Sequence, residues 1–135
     1  MNPNAIGIRD NGNPYRVLVV DDSVFIAKQL SQILTSEGFE VLGTASDGAQ
    51  GLDRYKDMHP NIDLVTMDIT MPKMDGITAL EKIIAFDKNA VVLMVSALGK
   101  EDLIKQSIIK GARGFIVKPL DRKKVLERIT SVLKK

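Results

Sequence analysis

RVLVVDDSVFIAKQL, residues 16–30, joins a short apolar run to two adjacent acids and then to a helical pattern. The run ends at Asp21 and Asp22, and Ser23, a residue type that caps helices, follows them. Beyond Ser23, apolar residues recur at spacings of three and four, as on one face of an amphipathic helix. The stretch therefore predicts a buried strand, two carboxylates at its end, and a helix that begins beside them.

The same order of strand and then helix repeats along the rest of the chain. Apolar runs predict five strands, at residues 15–20, 39–45, 62–67, 90–95 and 113–117. Periodic segments predict helices that begin at Ser23, cover residues 47–58, 76–86 and 100–110, and begin again after Asp121. Because the strands are nearly continuous apolar runs, helices should cover both faces of a parallel sheet. The predicted fold is α/β, a doubly wound five-stranded parallel sheet of the flavodoxin-like (βα)5 type.

The composition indicates one ordinary globular domain. The chain has 135 residues and 27% charged residues, which suits a single domain, predicted here at residues 15–135. Residues 1–14 are rich in Asn, Gly and Pro without periodicity, and are predicted to be a flexible tail. The absence of cysteine excludes disulfides and thiolate metal sites. No apolar run reaches bilayer length and no secretory leader is evident, so a cytoplasmic protein without membrane insertion is expected.

Charge is distributed unevenly along the chain. Residues 1–99 hold 8 Lys and Arg against 13 Asp and Glu, a net charge of −5, and residues 100–135 hold 11 against 4, a net charge of +7. The pattern fits solvated helix faces, and it fits equally an acidic site at one place with a basic docking face at another. The basic third has no helix-turn-helix pattern and no stacking aromatics, so nucleic-acid binding is not predicted.

Polar residues follow the predicted strands at the points where they end. These residues are Asp21, Asp22, Asp68, Ser96 and Lys118. The carboxyl ends of parallel strands share one edge of the sheet, so these side chains should meet in one pocket. Two carboxylates about 4 Å apart repel by roughly 1 kcal/mol even in water-like surroundings, so a cation should offset the charge. Oxygen ligands alone favour Mg²⁺.

Such a pocket suits a phosphoryl group, because bound Mg²⁺ commonly shares its ligand shell with phosphate oxygens. Asp68 is the candidate nucleophile, and its carboxylate would form an acyl phosphate. Lys118 and the metal would neutralise charge on the phosphoryl oxygens, and Ser96 would donate a hydrogen bond to one of them.

Four motifs carry a resemblance to a known family. They are VDDS at residues 20–23, MDITMPKMDG at 67–76, MVSALG at 94–99 and FIVKPL at 115–120. In this order, with 46 residues from Asp22 to Asp68, 28 to Ser96 and 22 to Lys118, they resemble receiver domains of two-component response regulators. The resemblance covers about residues 15–134. With no output domain after it, the chain is most similar to stand-alone chemotaxis regulators of the CheY type.

The resemblance implies a role for each matching residue. Asp68 would accept phosphate from a histidine kinase, and Ser96 and Lys118 would contact the phosphoryl group. The Mg²⁺ ligands would be Asp21, Asp22, Asp68 and the backbone carbonyl of Thr70.

The resemblance also implies a switch that phosphorylation drives. Ser96 would move toward the phosphoryl group, and Phe115, at the position of the family's switch aromatic, would rotate inward. Phe115 has no hydroxyl where Tyr is common, so any partner contact through a phenol is lost. Thr70 and Leu98 occupy positions that tune the phosphoryl lifetime, and the apolar Leu98 predicts altered intrinsic dephosphorylation.

The output surface would be the fourth helix, the fifth strand and the fifth helix, which is basic. Its charged residues are Lys100, Lys105, Lys110, Arg113, Lys123 and Lys124. A partner with an acidic amphipathic helix would suit this surface. The implied partners of the monomer are a CheA-like histidine kinase, a flagellar motor switch protein and a CheY-type phosphatase.

The sequence leaves two alternatives open. One is a stand-alone phosphorelay intermediate with no link to motility. The other is an aspartyl-phosphate phosphatase of the haloacid dehalogenase type, whose second Asp acts as acid and base. Thr70 stands where that second Asp would be, so the expectation is a protein that is not an enzyme acting on outside substrates.

Overall fold

Strands and helices alternate strictly along residues 5–133, which are the residues that this computed structural model describes. The strands are β1 (Arg16–Val20), β2 (Glu40–Ala45), β3 (Leu64–Asp68), β4 (Val92–Ser96) and β5 (Gly114–Val117). The helices are α1 (Val24–Ser36), α2 (Gly48–Met58), α3 (Gly76–Phe86), α4 (Glu101–Ile109) and α5 (Arg122–Leu133). None of these helices combines the length and apolar character needed to cross a bilayer.

The five strands form one parallel sheet in the order β2-β1-β3-β4-β5. The strand order reverses at β1, which lies between β2 and β3, so a crevice is expected at the carboxyl ends of β1 and β3. Val20 lies opposite Met67, and Asp68 lies opposite Val95. This register brings the polar residues that follow the strands to one edge, and the predicted fold is confirmed.

Helices cover both faces of the sheet, as the apolar strands predict. One core lies under α2, α3 and α4 and includes Leu52, Leu80 and Ile104. The other lies under α1 and α5 and includes Leu30 and Ile129. All residues of β3 and β4 are buried, which explains why these strands are apolar without alternation. Burial of each large aliphatic side chain contributes about 1.5–3 kcal/mol relative to exposure.

Side-chain caps fix where the helices begin at the carboxyl edge of the sheet. Ser23 Oγ accepts a hydrogen bond from the Ile26 N–H at 3.2 Å, and Asp75 Oδ1 accepts one from the Thr78 N–H at 2.8 Å. Asp121 accepts from the backbone at the start of α5. The caps predicted at Ser23 and Asp121 are confirmed, and α1 therefore starts directly beside Asp22.

The strand bounds differ slightly from those predicted. The apolar residues Phe39, Ile62 and Ala90 are buried but precede the paired residues of β2, β3 and β4. At their other ends, β3 and β4 include Asp68 and Ser96, because the backbone pairing continues through both residues. Burial and pairing therefore do not begin and end at the same residue.

Residues 5–14, which we call the N-terminal arm, differ from the flexible tail that the sequence predicts. The Gly7 N–H donates to the Glu37 carbonyl at 2.8 Å, and the Tyr15 N–H donates to the Gly7 carbonyl at 2.8 Å. Ile8 forms an antiparallel bridge with Pro14. The arm packs because the side chains of Ala5 and Ile8 lie against Gly38 in the α1–β2 turn, and its own turns at residues 6–7 and 10–11 fold it back on itself. Residues 1–4 and 134–135 lie outside the described residues.

Candidate functional site

Three carboxylates meet at the carboxyl edge of the sheet. Asp21 and Asp22 follow β1, Asp68 ends β3, and the register of Val20 with Met67 brings them side by side. One carboxylate oxygen from each of the three lies within 4.8 Å of the others. Asp21 and Asp68 are 4% and 5% exposed, whereas Asp22 is open to solvent. We call these three residues the acidic cluster.

Lys118 provides the positive charge that the sequence predicts for this site. Its Nζ lies 3.2 Å from Asp21 Oδ2 and 3.4 Å from Asp68 Oδ1. The Lys118 N–H donates to the Ser96 carbonyl at 2.7 Å, which extends the β4–β5 pairing past the end of β5. One ammonium therefore serves two carboxylates, and the acidic cluster keeps an excess of negative charge.

This crowding changes the proton affinity of Asp68. Burial, with a smaller contribution from the negative charge of Asp21, raises the pKa of the Asp68 carboxyl from 3.8 to about 7, although the ammonium of Lys118 acts in the opposite direction. A divalent cation would favour the ionised carboxylates and relieve the repulsion between them. The donor atoms are all oxygens, which fits Mg²⁺. The residues present thus suit the metal that the sequence predicts.

The loop after β3 closes tightly against the acidic cluster. A Cβ on Gly76 would lie 2.0 Å from the Asp68 carbonyl oxygen, so no side chain fits there. The Gly76 N–H donates to the Ile69 carbonyl at 2.7 Å, and Thr70 lies exposed within the loop. That the Thr70 carbonyl is a metal ligand stays a prediction.

Ser96 and Leu98 follow each other closely but differ in their environments. Ser96 is buried at the end of β4, and its Oγ donates to the Ala97 carbonyl at 3.0 Å. Leu98 is 79% exposed and lines the same two cavities as Phe115. To contact a phosphoryl group, the Ser96 hydroxyl would therefore have to break its hydrogen bond to the Ala97 carbonyl.

Phe115 lies in β5, half-buried, between a cavity of about 810 Å³ and a groove of about 640 Å³. The guanidinium carbon of Arg128, on α5, lies 5.1 Å from the ring centroid. Sequence reasoning missed Arg128. The available signal was its position four residues after Lys124, on the same side of a helix, because Lys124 lines the same cavity.

Three of the predicted basic-face residues gather around Phe115. Lys100 and Lys105 border the apolar groove beside its ring, and Lys124 borders the larger cavity on the other side. Ile109, at the end of α4, also lines the groove and is 84% exposed. This part of the predicted face combines an apolar surface with a basic rim.

The other three basic residues lie elsewhere, so the predicted face is smaller than the sequence indicates. Lys110 Nζ lies 3.4 Å from Glu81 of α3, and Lys123 borders a groove with Ile6 of the N-terminal arm. Arg113 is exposed just before β5, at the end of that strand away from the acidic cluster. Lys123 and Lys124 show one reason, because successive residues of a helix point in different directions and these two border different cavities.

Comparison with known proteins gives consistent matches over nearly the whole chain. The response regulator receiver domain pattern matches residues 17–130. The chemotaxis protein CheY of Treponema pallidum is 70% identical over 128 residues, which cover 95% of this chain and 89% of that protein. The Bacillus subtilis CheY is 47% identical over 88% of this chain and 98% of its own length. The CheX–CheY–BeF3–Mg complex of Borrelia burgdorferi contains a chain with a TM-score of 0.92 and 63% identity, covering 96% of this chain and 97% of that one.

Proposed function

The chain belongs to the response regulator receiver family, and we propose that it signals through magnesium-dependent phosphorylation of Asp68. Its function is that of a chemotaxis response regulator, as its similarity to CheY proteins over most of its length indicates. The observation that carries the proposal is the position of Lys118, whose ammonium lies within 3.4 Å of both Asp21 and Asp68. A nucleophilic carboxylate thus has an ammonium beside it and two more carboxylates available for a cation.

The residues at this edge of the sheet have different roles in the proposed reaction. Asp68 attacks phosphorus, so that a bond forms between its carboxylate oxygen and phosphorus while the bond from phosphorus to the donor histidine nitrogen breaks. Lys118 stabilises charge on the phosphoryl oxygens. Asp21, Asp22, Asp68 and the Thr70 carbonyl would hold Mg²⁺, which supplies further positive charge for those oxygens when bound.

The residues at the ends of β4 and within β5 would transmit the change. The Ser96 hydroxyl exchanges its bond to the Ala97 carbonyl for one to a phosphoryl oxygen. Movement at Ser96 changes the packing next to Phe115, because Ser96 lies opposite Val117 in the β4–β5 pairing. Leu98 offers no polar atom that could orient water, and this supports a phosphoryl lifetime set differently from that of relatives with a polar residue there.

The proposed output surface is the apolar groove between α4 and β5, with Lys100 and Lys105 on its rim. Ile109 and Leu98 are its most exposed apolar members. An acidic amphipathic helix matches both features, with apolar residues in the groove and carboxylates at the rim. The test is capture of a peptide from the flagellar motor switch protein with and without beryllofluoride, where retention only with beryllofluoride supports the proposal.

The other proposed partners are a CheA-like histidine kinase and a CheY-type phosphatase. We also propose that the protein acts as a monomer and that it acts in the cytoplasm. The complex that the Borrelia CheY forms with CheX supports a partner that recognises the loaded site. We infer no turnover on outside substrates, because Thr70 stands where an acid and base would be needed two residues after the nucleophile.

Phosphate incorporation into Asp68 is the direct test. Incubation with acetyl phosphate and Mg²⁺ should phosphorylate the wild type, and Asp68→Asn should abolish the incorporation, as measured by intact mass and by an alkali-labile, hydroxylamine-sensitive label. Asp75→Asn is the matched control, because it removes a carboxylate from the same loop and keeps a residue type that caps α3. Undiminished incorporation in Asp68→Asn would contradict the proposal.

A further inference from the structure

The ring of Phe115 packs against one core of the sheet but is only partly enclosed. It is half-buried and borders open space on two sides, the cavity of about 810 Å³ and the groove of about 640 Å³. A ring with free volume beside it can take more than one orientation without large cost, because close packing does not fix it. A contact that the ring makes in only one orientation can therefore strongly affect which orientation is populated.

Arg128 makes such a contact. Its guanidinium carbon lies 5.1 Å from the centroid of Phe115, within the range where a cation is attracted to an aromatic face. Among residues 5–133, Arg128 is the one cation found over this ring. Lys124 lies one helical turn earlier and borders the same cavity, but it does not stack on the ring.

We propose that Arg128 is a positioning residue that holds Phe115 in the orientation of the unphosphorylated protein. The inference rests on the proposed function, since it requires that Phe115 moves when Asp68 is loaded. The stacking contact exists in one orientation and is lost in the other, so it biases the equilibrium toward the resting state. Removal of Arg128 should then make the loaded state easier to reach.

The size of the effect follows from the strength of a partly exposed cation–π contact. Such a contact is worth about 0.5–1 kcal/mol, which is a two- to fivefold change in an equilibrium constant. Arg128→Gln should therefore lower the beryllofluoride concentration needed for half-loading, at fixed Mg²⁺, by about two- to fivefold. Arg128→Lys should lie between the wild type and Arg128→Gln, because it keeps a cation but loses the planar stacking group.

The experiment is fluorine NMR on protein labelled with 4-fluorophenylalanine. The chain has four Phe residues, so Phe115→Leu identifies the resonance of interest. Beryllofluoride is titrated with Mg²⁺, and the bound fluoride signal reports loading independently of the ring. In the unloaded protein, Arg128→Gln should already move the Phe115 resonance toward its loaded position.

The matched control is Lys124→Gln, which removes one positive charge from the same helix and the same cavity but leaves the stacking cation Arg128 in place. It should leave both the resonance and the loading midpoint as in the wild type. Equal effects of Arg128→Gln and Lys124→Gln would overturn the proposal, because the cause would then be net charge. Loading without movement of Phe115 in the wild type would also overturn it, whereas a wild type that does not load at all would contradict the proposed function itself.

Discussion

At the scale of single residues, most buried polar groups in the described part of the chain are hydrogen-bonded, and a few lie in unfavourable surroundings. Two carboxylates of the acidic cluster, those of Asp21 and Asp68, are buried, and burial opposes their charge. Elsewhere most buried polar atoms have partners, as Ser107 does through its bond to the Ile104 carbonyl at 2.7 Å. Thr66 differs, because its buried hydroxyl has no hydrogen-bond partner among the described residues. These two departures give separate predictions.

Thr66→Val should stabilise the protein by about 1 kcal/mol, since a buried hydroxyl without a partner costs about that much or more. Thr66 lies between Val19 and Leu93 in the sheet, so a methyl group fits its surroundings. Urea unfolding followed by circular dichroism measures the change. The control is Ser107→Ala, which removes a hydroxyl that has a partner and should not stabilise. A variant Thr66→Val of lower stability than the wild type would show that the hydroxyl is satisfied in solution.

Asp68 predicts a pH dependence of stability in the absence of divalent cations. Its pKa in the folded protein is raised from 3.8 to about 7, so the folded state binds the proton more tightly than the unfolded state. This proton stabilises the fold below about pH 4, and the contribution is lost as the pH rises toward 7 and above. In EDTA, the free energy of unfolding of the wild type should fall over this range relative to that of Asp68→Asn.

Mg²⁺ should reverse the loss at pH 8, because a bound cation stabilises the ionised carboxylate. Asp75→Asn serves as the control, since its carboxyl lies at the start of α3 and outside the acidic cluster. If the free energy of unfolding changed with pH in parallel for the wild type and Asp68→Asn, ionisation of Asp68 would not be the cause of the pH dependence.

At the scale of elements, contacts between side chains fix how the helices and the N-terminal arm lie. The Tyr55 hydroxyl of α2 donates to Asp87 Oδ2 at 2.7 Å, just past the end of α3, and His59 Nε2 lies 3.4 Å from the same oxygen. This hydrogen bond lowers the pKa of the Asp87 carboxyl, and burial with the bond raises the pKa of Tyr55. At the opposite layer, Arg122 at the start of α5 donates to Glu37 at 2.7 Å. The Glu37 carbonyl in turn accepts from the arm.

The arm should contribute to stability rather than behave as a tail. A Cβ at Gly7 would lie 2.3 Å from the Phe39 nitrogen and 2.6 Å from the Glu37 carbonyl oxygen. Gly7→Ala should therefore displace the arm and cost about 1–3 kcal/mol in the free energy of unfolding. Hydrogen exchange at Tyr15, whose N–H donates to Gly7, should become faster.

The control for the arm is Gly12→Asn. Gly12 has a φ of +88°, a Cβ placed there would meet no atom within 4 Å, and Asn tolerates this backbone region. Its stability should stay within about 0.5 kcal/mol of the wild type. If Gly7→Ala unfolded at the same urea concentration as Gly12→Asn, the arm would carry no structural role.

At the scale of the whole molecule, the sequence predicts what depends on local pattern and misses what depends on distant contacts. Continuous apolar strands and the polar residues that follow them were enough to predict the sheet and the meeting of Asp21, Asp22, Asp68 and Lys118. Arg128 could not be paired with Phe115 from the sequence alone, because the pairing depends on how α5 lies on the sheet. The arm was missed for a similar reason, since its composition is that of a loop and its partners lie near residues 37–39 and 63.

The N-terminal arm meets the domain at the starts of the strands, and the acidic cluster lies at their ends. A fluorescent reporter fused ahead of the arm would thus emerge from the far side of the molecule and leave the route of an approaching kinase open. Ala5 is buried and Gly7 is closely packed against residues 37 and 39, so a spacer would be needed to keep such a label from displacing the arm. For imaging of this regulator in living cells, the fluorescent reporter should therefore be fused ahead of the arm.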